Sequence, residues 1–375
     1  MEKYVEKIRM FTNSSKLKKI VNAEKTPLIV YDFDNVSKVI EVFRRAFADR
    51  EYIKLFFAVK SNNNLSFLKF LSEFVDGFDT ASIEEFNLVK KLRCNISFTS
   101  PGVSLDDIEL LLSNRVIFDF DSISQIDNYT RRCSLYEIGI RINIADSCIG
   151  RSRFGILLNN TSISYFHDKN LKITSIHFHT EMKDERYTQK IIDSLEQLIH
   201  NKVINPLEVR YLNLGGGFLN MFIENKLNNI VEFIDELKMK YFSANDMIKF
   251  VIEPGATLSI FSAYLLTEVL NINDNNNEKF AVLNASAYNL IRWFKTTPVY
   301  YTSEKSVKYK YNIYGNTCYE YDIFFNNIWL NEIAIADRLI LFPFGAYTRS
   351  NHANLHSMKL PTEAYYINDA IKYEN

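Results

Sequence analysis

Several residues of this chain carry reactive or charged groups at the points where apolar runs stop. Lys60 closes FFAVK (56–60), Asp79 lies in GFDTA (77–81), and Arg141 lies in EIGIRIN (137–143). His179 ends ITSIHFHT (173–180), Glu253 ends the apolar part of KFVIEPG (249–255), and LNLGGGF (212–218) sets Gly215, Gly216 and Gly217 in a row. A lysine in such a place is either a solvated cation or an amine ready to bond a carbonyl. A glycine row exposes backbone NH groups without side chains and can fold round an anion. A tight strand-to-helix turn needs one glycine rather than three, in a chain that holds 11. Glu253 precedes Pro254 and Gly255, which turn the chain sharply. A carboxylate there is costly to bury unless a cation or a protonated ring partners it.

Amine, anion cradle and buried acid together suit pyridoxal 5'-phosphate. That cofactor needs a lysine for its aldehyde, NH groups for its phosphate and a carboxylate to keep its ring nitrogen protonated. A metal is the competing use of the same strand. His177 and His179 alternate and share one face, and Glu181 joins them if the strand continues. Against it, no other histidine sits at a comparable strand end, and Lys60 would bring a positive charge to the same pocket. No metal is assigned, and His177 read alone is equally a core histidine with a satisfied ring.

Positioning these groups together requires a particular scaffold. The apolar runs 53–59, 77–81, 95–100, 115–120, 137–143, 173–180, 209–215 and 249–255 read as strands. Segments such as NLSFLKFLSEFV between them repeat apolar residues at three and four, the helical spacing. Strands alternating with helices predict a parallel (β/α)8 TIM-like barrel, whose active face lies at the C-terminal strand ends. After about residue 258 the texture changes to strands and turns, with NDNNNEK (273–279) as a hairpin loop. The expected organisation is a barrel over 30–257 followed by a C-terminal β domain over 258–375, joined by residues 1–29.

Composition narrows the class. The 375 residues are 47% hydrophobic and 24% charged, with a net charge of -1, which argues against nucleic acid or an acidic membrane surface as partner. The N-terminal twenty residues mix charges through the apolar positions and lack the core of a signal peptide, and no run approaches the ~20 apolar residues of a membrane span. Cys94, Cys133, Cys148 and Cys318 form no CxxC pair, so a cytoplasmic protein is expected.

The motifs, taken in order, resemble the pyridoxal-phosphate decarboxylases of the alanine-racemase-like fold, the ornithine, diaminopimelate and carboxynorspermidine group. FFAVKSN, GFDTASIEEF with Asp79 and Glu85, SRFGI (152–156), HFHTE (177–181), LGGGF (214–218), VIEPG (251–255), GNTCYEYD (315–322) and FGAYT (344–348) carry the resemblance over nearly the whole chain. HFHT, SRFG and LNAS (283–286) lean toward the carboxynorspermidine branch.

The resemblance implies that Lys60 bonds the cofactor, His179 stacks on its ring and Glu253 pairs with the ring nitrogen. Gly215, Gly216, Gly217 and Tyr347 would hold the phosphate, with Asp79 and Arg141 lining the cofactor. Cys318, as proton donor, and Asp322, as a substrate contact, would come from the partner subunit of a homodimer with shared sites. The chain departs from its relatives at Ala256, where the ornithine and diaminopimelate enzymes carry arginine, at Tyr319, where an acid often follows the cysteine, and at Asn284, where relatives carry aspartate. Tyr319 and Asn284 then join the expected substrate contacts. The expected activity is decarboxylation of an amino acid with an extended or modified side chain, a carboxynorspermidine-like polyamine precursor or another 3-amino-3-carboxypropyl compound, including a natural-product intermediate. A racemase of the same fold, a non-catalytic cofactor-binding protein and a metal hydrolase are the alternatives.

Overall fold

Strands covered on both faces need apolar residues in succession rather than in alternation, and IKLFFA at 53–58 is such a run. The computed structural model describes residues 2–132, 137–144, 146–147, 150–181, 183–275, 278–303 and 305–373. In chain order, α1 (Glu2–Phe11) and α2 (Ser14–Val21) lead into β1 (Leu28–Asp32) and α3 (Phe33–Ala46). Next come β2 (Ile53–Ala58), α4 (Leu65–Leu71), β3 (Gly77–Thr80), α5 (Ile83–Val89), β4 (Asn95–Phe98) and α6 (Leu105–Ser113). They are followed by β5 (Ile117–Phe120), α7 (Ile123–Arg132), β6 (Glu137–Ile142), the small hairpin β7 (Asp146–Ser147) and β8 (Gly150–Arg151), and α8 (Asn160–Lys169). The alternation closes with β9 (Lys172–Phe178), α9 (Glu185–His200), β10 (Tyr211–Asn213), α10 (Leu219–Ile223), α11 (Leu227–Tyr241), β11 (Lys249–Ile252) and α12 (Gly255–Ser259).

Strands β2, β3, β4, β5, β6, β9, β10 and β11 hydrogen-bond in that order and close into a parallel barrel. Aromatic packing shows which way the strands face. Phe57 meets Phe67 of α4 edge-on at 5.5 Å, and Phe98 stacks on Phe118 at 5.7 Å, pairs that add about 0.5–1.5 kcal/mol beyond their burial. The alternate positions Ala58, Asp79, Ser97 and Asp119 therefore point into the barrel.

The chain divides into two units, Ile40–Thr257 with the barrel and a second made of Met1–Val39 and Leu258–Asn375. Residues 30–39 fall in the second unit because β1 is one of its strands. β1 pairs antiparallel with β12 (Ala263–Asn275) and parallel with β18, which lies at Thr362–Ile367. The remaining strands are β13 (Glu278–Leu283), β14 (Thr297–Tyr301), β15 (Lys308–Tyr314), β16 (Ile323–Asn331), β17 (Arg338–Phe342) and β19 (Ala370–Tyr373). They form a nine-stranded, mostly antiparallel sheet with β12 beside β1. β12 and β13 pair up to Asn275 and Glu278, as a hairpin at 273–279 requires, and residues 276–277 at its tip lie outside the described residues. The stretch 257–262 opens the apolar run TLSIFSAYLLTEVLNI (257–272), which reads as a strand, but it is helical, with α12 running into a 3-10 turn at Ile260–Ser262. A short apolar run looks the same in either state, and the Pro254–Gly255 turn starts a helix here. Among the described residues no helix is long and apolar enough to cross a membrane.

Candidate active site

β2 hands over at Ala58 to one 3-10 turn, Val59–Ser61, and Lys60 is its exposed member between two buried neighbours. The polar residues that follow are themselves buried, with Ser61, Asn62 and Asn64 at most 1% exposed. Ser61 Oγ donates to the Ala58 carbonyl at 3.0 Å, and Asn62 Oδ1 accepts from the Asn64 amide at 3.0 Å. Asn64 Oδ1 in turn accepts from the Phe67 amide at 2.8 Å and caps α4. The abrupt polar stop after FFAVK is thus a buried asparagine turn that fixes where Lys60 leaves the barrel. The Glu253–Gly255 turn packs on it, since a Cβ at Gly255 would sit 3.0 Å from Ala58 Cβ and 3.1 Å from Ser61 Cβ.

Inside the barrel, buried acids converge. Ser97 Oγ lies 3.3 Å from both Asp79 Oδ1 and Glu253 Oε1, and Asn213 Nδ2 donates to Glu253 Oε1 at 2.5 Å. Burial pushes both carboxyls up, Asp79 well above its usual range with the Glu253 charge adding to the effect, while Lys60 opposes the shift in each. A single hydroxyl proton cannot satisfy both acids. Glu253 keeps the amide donor, so it is the better placed of the two to ionise, and Asp79 the better placed to keep its proton.

His177 is buried with Nδ1 at 3.0 Å from Thr99 Oγ1 and Nε2 at 3.7 Å from Glu253 Oε2. Asp119 lies 3.6 Å from the same Nδ1, and burial pushes its carboxyl up to about 8. A Cβ at position 139 would overlap Asp119 Oδ1, which is why β6 carries glycine opposite it.

Directly after β9, His179 Nδ1 accepts from the Gly216 amide at 3.2 Å, and the Gly215 amide donates to Asn213 Oδ1 at 2.8 Å. Two of the three glycine amides are therefore engaged inside the protein, so an anion cradle has to begin at Gly217. Close approach also demands the glycines. Gly215 and Gly217 have φ of +66° and +92°, and a Cβ at Gly217 would sit 2.7 Å from the carbonyls of Thr180 and Glu181. Burial, with Lys60 and Arg141 nearby, holds both histidines well below their usual pKa. His179 is thus a neutral ring, suited to stacking. His177, His179 and Glu253 each bring one potential ligand atom within 4.8 Å of the others. Lys60, Arg141 and Lys183 already act on the two histidines, and a divalent ion would add to that positive charge.

Arg141 Nη1 pairs with Asp121 Oδ1 at 3.2 Å, and its guanidinium lies 4.9 Å from the Phe154 ring centroid. Ile156 N donates to the Arg141 carbonyl at 2.8 Å, and Gly155 N donates to Asp121 at 3.1 Å. SRFGI is therefore the brace that orients Arg141.

In the second unit, Cys318 is exposed and its amide donates to His356 Nε2 at 3.0 Å. Asp322 is buried, with Oδ1 accepting from Tyr288 N at 2.8 Å and Oδ2 accepting from Thr317 N at 3.1 Å and Thr317 Oγ1 at 2.6 Å. Its carboxylate thus shapes the cysteine loop. The Asn284 amide accepts from Glu268 N at 3.0 Å and donates to Thr26 Oγ1 at 2.8 Å. Tyr347, at φ +62°, stacks on Trp293 at 4.1 Å. Tyr319 is partly exposed, edge-on to Tyr288 at 4.9 Å and 5.6 Å from Tyr321.

Several members of this constellation escaped the sequence reading: Ser97, Thr99, Asp119, Asp121, Lys183 and Asn213. The signal for most of them was a polar residue at every second position of an apolar run, as in Phe118–Asp119–Phe120. Lys183 had none.

The donor set fits pyridoxal phosphate. Lys60 supplies the amine at the barrel mouth, Glu253 a buried acid, His179 a neutral ring, and the glycine loop lies beside a buried amine at Lys183. Residues 33–259 match the family described as "Pyridoxal-dependent decarboxylase, pyridoxal binding domain". The chain belongs to the pyridoxal-dependent decarboxylases. This decarboxylase is 22% identical to a diaminopimelate decarboxylase of Helicobacter pylori, over 90% of this chain and 89% of that protein. Its fold matches the crystal structure of a Helicobacter pylori diaminopimelate decarboxylase complexed with L-lysine, with TM-score 0.78, 23% identity and 95% of each chain covered. It also matches the arginine decarboxylase of Paramecium bursaria Chlorella virus bound to agmatine, with TM-score 0.76, 20% identity and 94% and 100% of the two chains covered. The decarboxylase therefore uses pyridoxal phosphate to release carbon dioxide from an amino acid. These relatives do not single out the carboxynorspermidine branch.

Proposed function

We propose that this decarboxylase acts on an α-amino acid whose extended or modified side chain carries a distal amine, such as a carboxynorspermidine-like or other 3-amino-3-carboxypropyl compound. The observation that carries the reading is the aromatic cluster beside Cys318. Tyr319, Tyr321 and Tyr288 present ring surface, while the oxygens of Asp322 are engaged in their own loop. Ring faces hold alkylammonium groups by cation–π attraction without fixing a carboxylate on them. Diaminopimelate and arginine, named for the relatives above, also carry a second nitrogen on the side chain.

Pyridoxal phosphate, when bound, supplies the electron sink. Lys60 would bond it and later release it to the substrate amine, His179 would cover its ring, and Glu253 would hold a proton at the ring nitrogen. The Cα–carboxylate bond breaks, carbon dioxide leaves, and the Cys318 thiol returns one proton to Cα. Incubation with diaminopimelate, ornithine, arginine and a carboxynorspermidine-like amine, with released carbon dioxide measured, tests the reading. The highest kcat/KM is expected for the last, and a preference of tenfold or more for diaminopimelate or ornithine overturns it.

A homodimer with shared sites is part of the same proposal. Mixing Lys60→Ala with Cys318→Ala protein under subunit exchange is expected to restore activity. Each heterodimer then has one intact site, so random mixing gives roughly a quarter of wild-type activity by two-fold geometry. Exchange shown by mass with no activity restored would place both residues in one subunit's site.

A further inference from the structure

Lys183 is a buried amine with no role in the scheme above. It lies just past His179 and is 8% exposed, and its Nζ has no hydrogen-bond partner among the described residues. Its ammonium sits 3.8 Å from the Tyr187 ring centroid and 5.5 Å from that of Phe218. Both rings are tied to the glycine loop. Tyr187 Oη donates to the Leu214 carbonyl at 2.7 Å, and Phe218 directly follows Gly217. Lys183 and Gly217 also line one cleft of about 560 Å³. Buried lysines are rarely left without an anionic or carbonyl partner, because the unpaired charge is costly to desolvate. Here the available counter-charge is distant, since Glu253 acts on Lys183 through space but is hydrogen-bonded to Asn213 and Ser97. The turn after Glu253 brings no cation, because Ala256 follows Gly255.

We propose that Lys183 is the cationic anchor of the cofactor's phosphate, completing the cradle that begins at the Gly217 amide. The rings of Tyr187 and Phe218 hold its head beside the loop, and the phosphate oxygens supply the hydrogen-bond partner that the described residues do not. Burial also holds the amine well below its ordinary pKa, so an arriving anion favours its protonated form. The inference rests on the assignment of pyridoxal phosphate, and the experiment separates the two.

Apoprotein is titrated with pyridoxal phosphate and with pyridoxal, which lacks the phosphate, following tryptophan fluorescence and the cofactor's absorbance. Wild type is expected to prefer the phosphorylated form strongly. Lys183→Met should weaken pyridoxal phosphate by about 10- to 100-fold, the worth of a charge-assisted contact, and change pyridoxal less than threefold. Lys183→Arg should restore most of the loss, and circular dichroism checks that each variant is folded. An equal loss for both ligands, or none, overturns the role of Lys183. Should Lys183→Met fail to fold, Lys183→Gln takes its place: a selective loss for pyridoxal phosphate supports the anchor, and an equal loss for both ligands, or none, rejects it. Wild type that does not discriminate between the two ligands overturns the cofactor assignment itself.

Discussion

Lys60→Ala is expected to remove both the visible absorption of lysine-bound cofactor and nearly all turnover, leaving below about a thousandth of wild-type activity. The turn at Val59–Ser61 presents this amine at the barrel mouth, and the buried asparagines behind it allow little relaxation. Alanine is compatible with the turn, because Ser61 Oγ, Asn62 Oδ1 and Asn64 Oδ1 each bond a backbone group of the turn or of α4. The loss should therefore be chemical rather than structural. Borohydride reduction of wild type, followed by peptide mapping, should place the adduct on Lys60. An undiminished band in the variant would move the bond to another amine.

Glu253→Gln should bind cofactor with near-normal affinity yet lose about 10²- to 10³-fold in kcat, the scale of removing a preorganised charge from an active site. The carboxylate is 2% exposed and held by Asn213 and Ser97, so the geometry survives the isosteric change. What the amide cannot do is keep a proton on the ring nitrogen, and the electron pair released at Cα then has a poorer sink. Steady-state kinetics beside a cofactor-binding titration checks both halves. Turnover within a few-fold of wild type would mean that this carboxylate does not face the ring.

Much of the barrel was legible because parallel strands announce themselves as unbroken apolar runs, and the residue at which each run stops is the residue at the active face. IKLFFA followed by Lys60, and KFVI followed by Glu253, are local facts of the chain. The second unit was less legible. β1 straddles the boundary expected at residue 30 and was not read as a strand, and its partners are β12 and β18, more than 200 residues away. The helical stretch at 257–262 looked extended because short apolar runs carry no period.

Amino-acid order by itself determined which chemistry was at hand: an amine, a histidine, a glycine loop and an acid, each at the end of a strand whose period fixes its direction. Tertiary structure decided what each group has to spend. The Gly216 amide belongs to His179, 37 residues away, and Ser97 is divided between Asp79 and Glu253, the latter 156 residues away. Likewise it engaged Asp322 and Asn284 within their own unit and left the Lys183 amine without a hydrogen-bond partner among the described residues. The physical reason is that a donor or acceptor is committed by the neighbour brought to it across the barrel or the sheet. That pairing depends on strand register and loop approach, to which local periodicity is blind.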